Sequence, residues 1–79
     1  MPKIPPLSGK EIIAVLLSCG FHKHHQTGSH VQLRHLTKQH LRITVPRHDK
    51  FDLPAFVVGS ILKQAELTKE EFIKIWKRK

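Results

Sequence analysis

Carboxylates are scarce in this 79-residue chain: six Asp and Glu stand against 14 Lys and Arg, a formal charge of +8 with a pI near 10.2. Cysteine is nearly absent too. Cys19 stands alone, which excludes an internal disulfide framework and most cysteine-based zinc sites and points to a reducing, cytoplasmic setting. No stretch approaches the roughly 18 apolar residues of a membrane span, and the first residues lack the apolar run of a secretory signal. Internal repeats and low-complexity tracts are missing as well.

What the chain does have is cationic charge, seven histidines that can add to it, and length for one small domain. A domain of this size buries only about 60–65% of the surface its unfolded chain exposes, so its core has little to spare. The charge selects a polyanionic partner: nucleic acid, an anionic membrane surface or an acidic protein. No expected helix is strongly basic on one face and aromatic on the other, which places the membrane surface last.

Residues 1–7, with Pro2, Pro5 and Pro6, read as an extended arm. Ser8-Gly9-Lys10-Glu11 is a capping box, with Leu7 and Ile12 placed for a hydrophobic staple. Ile12, Ile13, Leu16 and Leu17, with Val15 alongside, recur at helical spacing, and Gly20 falls where a left-handed cap belongs. A helix is therefore predicted from about Gly9 to Cys19. Phe21 to Thr27 fits a short edge strand with His22 and His24 on one face, and Gly28 marks a turn. Ser29 to His35 and His40 to Val45 alternate: Val31, Leu33, Leu41, Ile43 and Val45 point one way, and His30, Gln32, Arg34, His40, Arg42 and Thr44 the other. A turn over about Leu36 to Gln39 joins them, and Pro46, which cannot donate to a ladder, ends the third strand.

Asp52 is placed to cap a second helix, with Pro54 in its first turn and Val57, Val58, Ile61, Leu62 and Ala65 on its apolar face. Thr68-Lys69-Glu70-Glu71 is a second capping box and opens a last helix bearing Phe72, Ile75 and Trp76 on one side. The expectation is one α+β domain over residues 1–79: α-β-β-β-α with a three-stranded antiparallel sheet, plus a short extra C-terminal helix within residues 68–79.

The stretch that carries chemistry is Gln26-Thr27-Gly28-Ser29-His30-Val31. Gly28 permits a tight bend with positive φ, and with Ser29 it shapes a turn that presents His30 at the sheet's rim. A lone strand histidine is ordinarily just a surface residue. This one sits in a cationic field, and imidazole exchanges protons near neutrality. One such group can deprotonate an RNA 2′-hydroxyl or protonate the departing 5′-oxygen, with Arg or Lys stabilising the phosphorus oxygens. That reaction requires no metal and no cofactor. It does require RNA, because DNA has no internal 2′-nucleophile.

Lys23, Arg34, Arg42 and Arg47 are the candidate phosphate contacts, since like charges on neighbouring strands repel unless an anion lies between them. Phe51 and Phe56, expected to be packed or loop-bound, leave no base-stacking platform, so binding should be led by the backbone and weakly sequence-selective. A metal reading exists: His22 and His24 at i, i+2 could be joined by His30, His35, His40 or His48. The lone cysteine and the scarce acids, with only Asp49 and Asp52 in mid-chain, count against it, so no metal is expected. A non-catalytic RNA-binding module and a domain docking an acidic protein are the remaining rivals to a nuclease.

These residues together resemble the HicA toxin family, the small ribonucleases of HicAB toxin–antitoxin pairs. The resemblance covers roughly Leu7 to Phe72. It rests on Ser8-Gly9-Lys10-Glu11, Gly20-Phe21, Gly28-Ser29-His30, Val45-Pro46-Arg47-His48, Ser60-Ile61-Leu62-Lys63-Gln64-Ala65 and Leu67-Thr68, in that order and spacing. It implies a fold like that of double-stranded-RNA-binding domains, metal-independent cleavage of mRNA with arrest of translation, and inhibition by a HicB-type antitoxin protein. The family's catalytic histidine falls on His30, and His48 matches the histidine of the Val-Pro-x-His segment, in a supporting, RNA-binding role. Where the family has a Gly-Thr-Leu-like start to its second helix, this chain has Phe56-Val57-Val58 behind Pro54.

Overall fold

A computed structural model describes residues 4–47 and 51–78. The order is α1 (Gly9–Ser18), β1 (Phe21–Thr27), β2 (His30–His35), β3 (Arg42–Pro46), α2 (Ala55–Ala65) and α3 (Lys69–Lys77). This is the α+β arrangement expected, α-β-β-β-α with a short C-terminal helix.

Both capping boxes form. The Ser8 hydroxyl accepts the Glu11 N–H at 3.3 Å while the Glu11 carboxylate accepts the Ser8 N–H at 3.2 Å. At α3 the Thr68 hydroxyl accepts the Glu71 N–H and the Glu71 carboxylate accepts the Thr68 N–H, both at 3.1 Å. The strands lie in the order β1-β2-β3, each neighbouring pair antiparallel. Val31, Leu33, Ile43 and Val45 are buried on the inner face, where they join Ile12, Leu16, Ile61, Leu62 and Phe72 in one core. There α1 packs on β1 and β3, α2 on β3, and α3 on α1. All helix packing falls on that face, which leaves the sheet's outer face free to hold a site.

Four local expectations change. Asp52 does not cap α2. It forms an isolated bridge with Ser8, and the Leu53 N–H donates to the Leu7 carbonyl at 2.9 Å, so the chain stays extended up to Pro54. Proline biases the residue before it towards extended backbone, and α2 begins only after it. Pro54 is thus the N-cap, not a first-turn residue, and no side chain caps this helix. The third strand starts at Arg42 instead of His40, because the Leu41 N–H closes a turn on the Lys38 carbonyl at 2.9 Å. It also runs through Pro46, tolerated at the end of an edge strand. Finally, Phe56 is neither packed nor loop-bound: it lies on α2 and is 79% exposed, while Phe51 is in a loop as expected.

The end of α2 was not legible in advance. Glu66 takes a left-handed conformation, φ 57° and ψ 39°, where glycine is the usual occupant. The Leu67 N–H bonds the Leu62 carbonyl and the Glu66 N–H that of Lys63, a Schellman closure. The Glu66 carboxylate also lies 3.4 Å from His40 Nε2, a contact between the β2–β3 turn and the end of α2.

Candidate functional site

Cross-strand partners on an antiparallel sheet share a face, so the pairing register says which side chains stand together. Three rows cross the outer face: Thr27–His30–Pro46, His25–Gln32–Thr44 and His22–Arg34–Arg42. The rows between them, Gln26–Val31–Val45 and Lys23–Leu33–Ile43, lie on the helix-covered face.

His30 opens β2 and is exposed. The two-residue loop before it has positive φ at Gly28 (56°) and not at Ser29, the pattern of a II′ hairpin turn, whose twist matches that of the flanking strands. The Gln26 side-chain amide donates to the Gly28 carbonyl at 3.2 Å, and the Arg47 N–H donates to the Ser29 carbonyl. The turn is held from both sides. The imidazole is thereby presented at the sheet's rim with the backbone of Arg47 beside it.

Helix α1 approaches the same rim. A side chain at Gly9 would collide with the Pro46 carbonyl and sit 2.9 Å from the Arg47 Cα. Only a glycine lets the first turn of α1 seat against the end of β3, next to the row that carries His30. The sequence held a signal for this, a glycine inside a capping box where any good helix former would serve.

Arg34 and Arg42 are direct partners on β2 and β3. His30 and Arg34 are four residues apart on one strand, about 13 Å at the usual strand rise. His48 lies outside the described residues. Lys23 is placed differently from the arginines: it pairs with Leu33 at the sheet's open edge, on the face that carries the helices, and does not join the rows. Strand alternation puts His22 and His24 on the outer side, and a bulge adds a third histidine. Between Lys23 and His25 the register slips by one residue, which leaves His24 unpaired and sets His25 opposite Gln32 on the same face.

The Arg34 guanidinium first, partial desolvation second, and then His22, His25 and Arg42 hold the His24 imidazole below the usual histidine range. His35 has a structural part. Its Nδ1 accepts the N–H groups of Thr37 and Lys38 at 3.2 and 3.0 Å, so Nε2 carries the proton facing the Cys19 carbonyl at 3.1 Å. Its ring meets that of Phe21 edge-on at 4.9 Å. With both nitrogens engaged it ties the end of α1 to the β2–β3 turn and is not disposed to ligate. Among the described residues no three His, Cys, Asp or Glu side chains converge as metal ligands, and no helix is long and apolar enough to cross a membrane.

An exposed imidazole on a braced turn, at one end of a cationic face, is equipped to move a proton at a phosphate ester while the neighbouring cations bear the charge. A family model described as "HicA toxin of bacterial toxin-antitoxin" matches residues 9–67, from the glycine that seats α1 to the end of the α2 closure. No curated protein matches the chain.

Proposed function

The chain belongs to the HicA toxin family of bacterial toxin–antitoxin systems, and we propose that it is a metal-independent endoribonuclease that cleaves mRNA through His30. The observation that carries this reading is the exposed His30 on its braced II′ turn, at the rim of an outer face lined with Arg34 and Arg42.

In this mechanism the RNA strand lies along the outer face with one phosphodiester against the rim. His30 takes the 2′-hydroxyl proton or protonates the 5′-oxygen as it leaves, and solvent water accepts or supplies the other proton. The 2′-oxygen bonds to phosphorus as the bond to the 5′-oxygen breaks, leaving a 2′,3′-cyclic phosphate on one fragment and a 5′-hydroxyl on the other. Gly28 and Ser29 set the imidazole's position. Arg47, beside the turn, supplies positive charge near the reacting phosphate, and His48, the next residue in sequence, is a supporting RNA contact. Arg34 and Arg42 hold the strand further along, and Lys23 meets it only where RNA wraps around the sheet's edge. A HicB-type antitoxin protein would silence the toxin by covering this face.

The test is induced expression of wild type and His30→Ala in a bacterial host, with mRNA followed by northern blot. Growth arrest and mRNA loss with wild type alone are expected. Two harmless variants with intact mRNA would leave a binding module, and equal toxicity would put the chemistry elsewhere.

A further inference from the structure

The His22–Arg34–Arg42 row closes into a cleft of about 350 Å³, lined also by His24, His35, Leu36 and Gln39. Two guanidiniums stand on directly opposed positions of neighbouring strands, where like charges destabilise a sheet. Among the described residues neither has a carboxylate partner; the one ion pair joins His40 to Glu66. His24, left unpaired by the bulge in β1, lines the same cleft, so two imidazoles face the two guanidiniums.

From this juxtaposition we infer that the cleft is a phosphate subsite, in which Arg34 and Arg42 hold one phosphate group and His24 takes up a proton as it binds. Guanidiniums suit the job because their N–H groups match the oxygens of phosphate in pairs. The proton follows from the surroundings of His24. The groups facing it are His22 and His25 on its own strand, Arg34 on β2 and Arg42 on β3, all of them cationic or able to become so. They disfavour a charged His24 while the cleft is empty. An anion between the arginines reverses that field, so one proton enters from solvent with the phosphate. Linkage is reciprocal, so affinity rises as pH falls through the histidine range, by at most about tenfold per pH unit for one proton.

Resting on the RNA-cleaving function proposed above, the phosphate belongs to the substrate strand. It is a different phosphate from the one at His30, about 13 Å away along β2. The subsite would hold the strand in register while the rim does the chemistry. An internal phosphodiester and a terminal phosphomonoester offer the same oxygens, and the experiment separates them.

The probe is inorganic phosphate, followed by imidazole resonances of the full-length His30→Ala chain, which also leaves RNA uncut. The His24 midpoint should move upward with phosphate in this parent and stay still once Arg34→Gln and Arg42→Gln are added. The single Arg42→Gln variant is the safeguard should the double variant misfold. Anisotropy with oligoribonucleotides bearing a 5′-hydroxyl or a 5′-phosphate then measures affinity at about pH 6 and pH 8. Tighter binding at the lower pH, with the gain smaller in His24→Gln, is expected. Equal affinity for the two ends assigns an internal diester, and a preference for the 5′-phosphate assigns the monoester. An immobile His24 together with a pH dependence that survives His24→Gln overturns the subsite, even if the wild type cuts RNA. Phosphate that moves His24 in a chain that neither binds nor cuts RNA keeps the phosphate site and removes the nuclease function.

Discussion

The backbone N–H of Arg47 donates to the Ser29 carbonyl, so the residue that leaves β3 is tied to the turn that presents His30. Ser29 and Arg47 are 18 positions apart, yet they fix each other. Gly9 seals the arrangement from below, because the first turn of α1 presses against Pro46 and Arg47 at the same rim. The position of the imidazole therefore depends on two strands and a helix, not on the turn alone.

Gly9 and Gly59 should respond oppositely to the same substitution. Gly9→Ala forces a methyl group into the Pro46 carbonyl and the Arg47 Cα and should cost about 1–3 kcal/mol, as overpacking usually does. Gly59 lies within α2 with nothing within 4 Å of a Cβ, so Gly59→Ala should stabilise by about 0.5–1 kcal/mol. Urea unfolding of the two variants against wild type checks both signs.

At the turn the constraint is conformation, not space. A Cβ on Gly28 meets nothing within 4 Å, but φ is +56°. Gly28→Ala should cost about 1–2 kcal/mol and slow cleavage by displacing the imidazole. His30→Ala removes an exposed side chain, so stability should hold within about 0.5 kcal/mol while the cleavage rate drops about 10²–10⁴-fold. Melting curves beside cleavage assays on one RNA separate the two effects.

Salt dependence should separate the two faces of the sheet. Each phosphate neutralised on a single strand contributes about −0.7 to the slope of log K against log salt. Arg34→Gln, on the outer row, should make the slope shallower by roughly that amount. Lys23→Gln, at the edge on the helix side, should leave it nearly unchanged. Equal losses from both would mean that RNA wraps the edge. Binding titrations at several salt concentrations with the His30→Ala background give the answer.

Acid should loosen α3 first. The Thr68 backbone N–H, then the Thr68 hydroxyl, and lastly Lys38 draw the Glu71 carboxyl below the usual glutamate range, against some desolvation. A depressed carboxyl adds stability that is complete above its unfolded-state value, near 4.5, and is lost as pH falls through the folded one. Trp76, the only tryptophan and half-buried beside the core, reports on the helix. Its fluorescence should change between about pH 5 and pH 3, and Glu71→Gln should remove the stability that wild type loses over that range.

Much of this was legible because it is local. Ser8 and Thr68 announce their helices through partners three residues away, and the alternation of Val31, Leu33, Ile43 and Val45 assigns the inner face without any knowledge of its neighbours. His30 stood out for the same reason, since Gly28 and Ser29 precede it directly. Where long-range contacts compete with local preference, the local pattern misleads. Asp52 looks like a cap until Leu53 bonds to Leu7. Phe56 falls on α2 yet stands exposed, because Val58, Ile61, Leu62 and Ala65 form the face that this helix buries.

By itself, then, the sequence determined the order and type of the elements, the apolar face of the sheet, and the turn that carries the histidine, all of them set by contacts within a few residues. Tertiary structure alone decided which cations stand together. A one-residue bulge sets His25 on the outer face with His22 and His24, the strand register leaves Lys23 on the other face, and the approach of α1 to β3 demands glycine at position 9. Each of these is a relation between segments distant in the chain. The register of a sheet and the seating of a helix are settled by the packing of the whole core, and no local pattern of residues contains them.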